Sequence, residues 1–575
     1  MSPEKFLPCI TWLRTYNQRE FSSDLVAALI VTVMLIPQSL AYALLAGLPA
    51  VTGLYASILP LVAYAVFGTS RTLSVGPVAV ISLMTAAAIA SLSATIALPP
   101  QTIAVLLALI SGALLLLLGV LRFGFLANFL SHSVVSGFIS ASGILIALSQ
   151  VKHLLGISAA GDTLPELLLS LASSLATFNS ITTLLGIGSL LFLFWARSWL
   201  KPLLLPWLGE FGATLGARAA PVLAVLATTL CAWGFELQDS GVALIGAIPA
   251  GLPVLQLPAF DADLWRSLLL PAILIATIGY VESVAVGRTL GAKRQQKIDP
   301  DQELVGLGVA NIASGFSGGL PVTGGFSRSA VNFDAGAQTP AAGLYTAAGI
   351  AFITLFLTAP LAWLPQATLA ATIVAAVLGL VDFSILPRAW RYSRSDFAAV
   401  ALTIGVTLLW GVETGVTCGI FSSLLLHLYK TSRPHIAEVG EITGTEHFRN
   451  VKRHQVETHP AILSLRVDES LYFGNASFIE DEITRVLQAR PGLRHVILMC
   501  SAVNEIDLSA LELLEALNTR LRASGIGFHL SEVKGPVMDA LMSTHFLREL
   551  NGQIFLSQHE AVHTLLNDKG LPPCA

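Results

Sequence analysis

Charged residues are scarce in this 575-residue chain: 12% are Asp, Glu, Lys or Arg, against about 25% in soluble domains, while 54% are hydrophobic. That shortage excludes an ordinary soluble core as the place where the apolar surface is hidden, and the chain reads as a membrane protein embedded in a lipid bilayer. Long basic runs are missing too. With a net charge of −4 and Lys and Arg confined to short loops, a nucleic-acid partner is excluded. Cysteine is sparse, and Cys9, Cys231, Cys418, Cys500 and Cys574, an odd number at unrelated spacings, frame neither a disulfide network nor a metal cluster. No nucleophile–base arrangement or metal-ligand spacing stands out, so neither an enzyme nor a bound cofactor or metal is expected. Residues 1–20 carry no apolar stretch followed by a small-residue cleavage site. The expectation is an uncleaved cytoplasmic N-terminal segment.

What is present is a succession of apolar segments up to Lys430, at approximately 24–45, 52–67, 77–93, 102–121, 130–151, 181–199, 219–236, 268–287, 303–316, 327–338, 340–360, 367–381, 396–411 and 414–430. Several are too short for a full span. Counted as about 14 crossings, they put Arg14, Arg19, Arg122, Arg197, Arg288, Arg294, Arg388 and Lys430 on one side, as the positive-inside rule requires. Lys152 and Arg266 are the exceptions. By this count both termini are cytoplasmic and the protein sits in the cell membrane. The reading divides the chain into a cytoplasmic segment 1–20, a transmembrane domain 21–433 with repeats at about 21–236 and 263–430, a charged linker 434–460, and an α/β domain 461–570.

The repeats rest on matching words. "PQSLAYALLAGL" (37–48) pairs with "VESVAVGRTLGA" (281–292), so that Gln38 aligns with Glu282. After each comes a broken stretch, "FGTSRTLSVGPVAV" from Phe67 and "FSGGLPVTGGFSRSAV" from Phe316. An odd number of crossings per repeat turns the second half upside down relative to the first. Each break is expected to be a short extended piece leading into a half-helix, one starting near Pro77 and the other near Ser327. Proline suits a helix's first turn, and glycines let the backbone approach a ligand.

Two half-helix N-termini facing each other make an anion site, since each exposes unpaired N–H groups and roughly half a positive charge. Arg328 adds a full charge. The candidate binding residues are Ser74, Val75, Gly76, Val78 and Ala79 from the first break and Gly325, Phe326, Ser327 and Arg328 from the second, with Gln38 and Tyr42 one turn apart on the first segment. The spacing from Gly319 to Gly324 is that of a phosphate loop, but Gly325 stands where that motif needs lysine. A carboxyl at Glu282 would border the same cavity and could take up and release a proton as its surroundings alternate. His132, Ser133, Ser136, Ser140 and Ser142 are polar within an apolar segment, at spacings that suit close helix packing.

Four stretches, "IPQSLAYALLAGLPAVTGLYAS" (36–57), "GTSRTLSVGPVA" (68–79), "FLSHSVVSGFISASGILIALSQVKHLLG" (129–156) and "GVANIASGFSGGLPVTGGFSRSAVNFDAGAQT" (308–339), closely resemble the SulP anion transporter family. The resemblance implies a seven-plus-seven inverted repeat with core and gate domains, a homodimer, and elevator-like movement of core against gate. It also implies proton coupling: proton-driven members carry a glutamate at the position of Glu282, whereas sodium-coupled bicarbonate members have an aspartate there and a hydroxyl one turn later, where this chain has Val286. The function expected is proton-coupled uptake of a small inorganic anion, sulfate above all. Bicarbonate, C4-dicarboxylates or anion exchange also fit, as does a membrane-anchored anion sensor acting through its C-terminal domain.

That C-terminal region changes pattern. "AILSLRV", "HVILMCS" and "GFHLSEV" read as strands, and "SFIEDEITRVLQAR" and "SALELLEALNTRLRASG" as amphipathic helices. The alternation resembles the STAS domain, which implies a cytosolic protein partner. Where related anti-anti-sigma factors carry a phosphorylated serine directly after the aspartate, "NEIDLSAL" has Leu508, with Ser509 behind it. Asp507 and Ser509 are weak regulatory candidates, and Asp507 is expected to cap its helix.

Overall fold

The computed structural model describes residues 7–93, 98–125, 132–255, 262–379, 381–490 and 492–567. It divides into two compact units, Met1–Ser423 and Leu424–Ala575.

The first unit is helical. Among the described residues six helices are long and apolar enough to cross a bilayer, and they include Gln18–Leu45, Pro100–Val120 and Ala262–Lys293. Local chemistry starts them. Asn17 caps the first helix and Glu20 returns the bond to its backbone, while Asp299 caps Pro300–Phe316. Large apolar side chains such as Leu184, Leu191, Leu230 and Phe352 stand outward and exposed, the arrangement of a surface solvated by lipid. Inside, one apolar cluster joins residues of 46–115 to residues of 264–322, and a separate one joins Leu154, Leu193, Ala220, Ala224, Ala371 and Val374. Helices Pro100–Val120 and Pro300–Phe316 approach backbone to backbone: a Cβ on Gly112 would lie 2.8 Å from the Gly308 carbonyl oxygen, and one on Gly308 2.7 Å from the Leu116 nitrogen.

Between these helices the chain breaks twice. Strand β1 (Val75–Gly76) precedes helix Ala79–Ser93, and strand β2 (Thr323–Gly324) precedes helix Phe326–Asp334. The half-helices thus begin two residues after Pro77 and one before Ser327. β1 and β2 pair antiparallel, Val75 opposite Gly324 and Gly76 opposite Thr323, which is the relation inverted repeats impose on their equivalent segments. Of the polar residues expected to serve packing, Ser140 Oγ lies within hydrogen-bond reach of the Ser136 and Asp382 carbonyls, while the side chain of His132 lies outside the described set.

The second unit is a six-stranded sheet ordered β4-β3-β5-β6-β7-β8, from β3 (Ile436–Glu441), β4 (Phe448–Asn450), β5 (Ile462–Val467), β6 (His495–Met499), β7 (Gly527–Ser531) and β8 (Ile554–Phe555). β5 to β8 are parallel, with helices Ala476–Ala489 and Leu508–Ala523 between them, over a core of Leu463, Val496, Leu498, Leu514 and Phe528. The stretch 434–460, expected as a linker, differs: it supplies β3 and β4. Its inward residues are small or isolated, Ala437 and Val439 in β3 and Phe448 in β4, so the alternation that marks a strand is faint.

Candidate anion site between two half-helices

Strand β2 is fixed from two sides. Val322 N–H donates to Asn311 Oδ1 (2.9 Å), and Asn311 Nδ2 donates to the carbonyls of Val322 (2.8 Å) and Leu307 (2.9 Å). Ser283 and Thr323 place their hydroxyls 2.7 Å apart, both within reach of the Gly279 carbonyl, and Ser283 Oγ accepts from Gly324 N–H at 2.8 Å. These groups sit away from water, where leaving one unpaired costs about 1–3 kcal/mol, so the break is held in one conformation. The second half-helix is tied to the first break in the same way. Ser74 N–H donates to Ser329 Oγ (2.9 Å), Gly325 N–H to the Ser74 carbonyl (3.3 Å), and Asn332 Nδ2 to the Thr72 carbonyl (3.0 Å).

What this frame presents is donors. Gly325, the N-cap of Phe326–Asp334, offers no capping side chain, so the first-turn N–H groups are not consumed by one. Arg328 lies one turn in and is 2% exposed. Its Nη1 donates to the Pro77 carbonyl at 2.6 Å, while Nε and Nη2 are buried with no partner among the described residues. Gly76 and Gly325 flank the guanidinium: a Cβ on either would lie 3.2 Å from one of its nitrogens. Tyr42 and Glu282 are the titratable groups within electrostatic reach of Arg328 among the described residues, the tyrosine as a neutral phenol. A guanidinium with spare buried N–H groups, beside two helix N-termini, is suited chemically to a small multi-oxygen anion.

The expected residues distribute unevenly about this point. Tyr42, Gly76, Val78, Ala79, Gly325 and Arg328 are buried, with Glu282 half-buried on helix Ala262–Lys293. Ser74 is buried and its hydroxyl has no partner among the described residues. Val75 is fully buried in the apolar cluster, so only its backbone faces the break. Phe326 is 47% exposed, and the side chain of Ser327 lies outside the described set. Gln38 lines a cleft of about 190 Å³ together with Met34, Arg197, Pro221, Thr372 and Ala376. Sequence reasoning missed Ser283, Asn311, Thr323, Ser329 and Asn332. Their signal was small polar residues within apolar segments close to the breaks. In the second unit Asp507 caps its helix through Ala510 N–H (2.8 Å) and also accepts from Phe473 N–H (2.8 Å), while Ser509 is exposed.

Comparison with known proteins adds an independent line. A model described as the sulfate permease family matches residues 21–403, and one for the STAS domain matches residues 453–561. The chain is 36% identical over 581 residues to sulfate transporter 4.1, chloroplastic, of Arabidopsis thaliana, covering 98% of this chain and 83% of the relative. It is 32% identical over 566 residues to a probable sulfate transporter of Mycobacterium tuberculosis, covering 98% of both. The solved structure of SLC26A9 superposes with a TM-score of 0.89 at 22% identity, over 98% of this chain and 93% of that one, a likeness of fold.

Proposed function

The chain belongs to the sulfate permease family and is a polytopic anion transporter, and from that premise we propose that it carries sulfate into the cell together with a proton. The observation that supports this reading best is Arg328, a buried cation with two nitrogens that have no partner among the described residues, where two half-helices begin. Sulfate offers four oxygens to that cation and to the first-turn N–H groups of Ala79–Ser93 and Phe326–Asp334, and these fixed donors replace the hydration the ion gives up. In this reading Tyr42, Ser74, Gly76, Val78, Ala79, Gly325, Phe326, Ser327 and Arg328 surround the anion, Val75 contributes backbone, and Gln38 lines its approach. Glu282, within electrostatic reach of Arg328, carries the proton. The proton then offsets one of the two negative charges of sulfate as the site crosses the membrane by alternating access, in a homodimer of the cell membrane with both termini cytoplasmic.

Purified protein in sodium-free liposomes tests the proposal. Radiolabelled sulfate should accumulate when the outside is acidic, and unlabelled sulfate should compete better than bicarbonate, chloride or a C4-dicarboxylate. Sulfate binding without flux would favour a sensor, and accumulation only with sodium would overturn the coupling.

A further inference from the structure

The C-terminal helix Gln558–Leu566 contains His559-Glu560-Ala561-Val562-His563, two histidines four residues apart and so one above the other on a single helix face. Glu441, the last residue of β3, faces both. Its Oε1 lies 2.6 Å from His559 Nδ1 and its Oε2 3.1 Å from His563 Nε2, and the two imidazole rings are 4.1 Å apart. One ligand atom from each residue falls within 4.8 Å of the other two.

We propose that Glu441, His559 and His563 form a binding site for a divalent transition-metal ion, Zn²⁺ being the fitting one. Ligand bonds of about 2.0–2.2 Å put the donors of a tetrahedral zinc roughly 3.3 Å apart, so side-chain rotation alone converts the observed cluster into a coordination shell. Two imidazoles with one carboxylate suit zinc, whereas calcium and magnesium take shells of oxygen. His559 and His563 are 33% and 49% exposed, which provides an entry path and leaves the fourth position to water.

The spelling H-E-x-x-H also raises a hydrolytic centre, in which the glutamate acts as general base. Here Glu560 is used otherwise. Its carboxylate accepts from Leu556 N–H (3.2 Å) and its own N–H donates to the N-cap Ser557 Oγ (3.0 Å), contacts that turn it to the start of its own helix. The site is therefore structural. β3 pairs antiparallel with β4 and β5, and the C-terminal helix packs through Ala561 and Leu565 on Ile462, Ile497 and Phe555. The ion would clip the antiparallel edge of the sheet to the last helix.

The test uses the full chain in detergent, purified without a polyhistidine tag and stripped with EDTA. After dialysis against micromolar Zn²⁺ the protein should retain one equivalent by elemental mass spectrometry. The His559→Ala/His563→Ala double variant should retain none, and Glu441→Gln should bind at least ~10-fold more weakly in competition with a chromogenic chelator, while Cys500→Ser behaves as wild type. Zinc-edge X-ray absorption on the wild type, which needs no variant, should show two imidazoles and oxygen. No retained zinc, zinc undiminished in the double variant, or a sulfur-containing shell would each overturn the proposal.

Discussion

Arg328, in the second half-helix, donates a 2.6 Å hydrogen bond to the carbonyl of Pro77, in the first break. One buried cation therefore joins the two repeats at the point where their short strands pair, and anything that moves one half-helix moves the charge seen by the other.

Arg328→Lys separates charge from geometry. Lysine supplies the cation, but its single ammonium cannot hold the Pro77 carbonyl and also present two further forked donors. Sulfate affinity is expected to fall at least tenfold, about 1.4 kcal/mol, in a chain that still folds. Calorimetric titration in detergent checks it, and equal affinity would remove Arg328 from the anion's contacts.

Gly325→Ala addresses the space around that guanidinium. The added Cβ would press against Nη2 and also meet Val78 at 3.2 Å, so the arginine or the strand must shift. Overpacking of this kind costs about 1–3 kcal/mol, and here it is expected mainly as weaker sulfate binding and slower uptake. A variant that transports at the wild-type rate would show that the guanidinium moves freely.

Asn311→Ala leaves both backbone polar groups of Val322, a residue 3% exposed, without their side-chain partner. Each orphaned group costs about 1–3 kcal/mol, so the thermal midpoint should fall and transport should be lost with it. An unchanged midpoint would mean the strand finds other partners.

In the C-terminal unit, His529 is held neutral: burial and then the neighbouring His495 lower its pKa from the usual 6.5 to about 4. Its Nδ1 accepts from Gln553 N–H at 3.0 Å, a bond that protonation would break. The unfolded chain takes up this proton near pH 6.5 and the folded one refuses it until about 4, so stability is full above that window and declines as pH falls through it. Protection of β7 amides against hydrogen exchange in the full chain, taken relative to the intrinsic rate at each pH, should fall as pH drops through this range, and His529→Gln should flatten the response.

Much of this was legible because it is written locally. Proline and glycine between apolar runs announced the breaks, the matched words at Gln38 and Glu282 announced the repeat, and the odd number of crossings in each half announced its inversion. What could not be read were partnerships across distance. Nothing adjacent to Asn311 says that it grips Val322, and nothing near Ser329 says that it receives Ser74 N–H, because those bonds depend on helix packing. The strands β3 and β4 were hidden for a different reason, since small and isolated inward residues give little periodicity. Sequence reasoning passed over the His559 and His563 pair although it stands at helical spacing, and its third member, Glu441, is 118 residues from His559.

The sharpest prediction concerns Glu282. Its helix neighbour Ser283 is hydrogen-bonded to Gly279, Thr323 and Gly324, so the backbone that carries Glu282 is tied to the second break. Glu282→Gln keeps the side chain's size and polarity yet cannot ionise, and Arg328 remains to bind sulfate. Concentrative uptake driven by an inward proton gradient should therefore disappear, while exchange of labelled for unlabelled sulfate continues, since a loaded site can still cross. Parallel liposome assays of the two modes distinguish the outcomes. Loss of both would make Glu282 part of the binding frame and not the proton carrier, and retention of both would move coupling to another group.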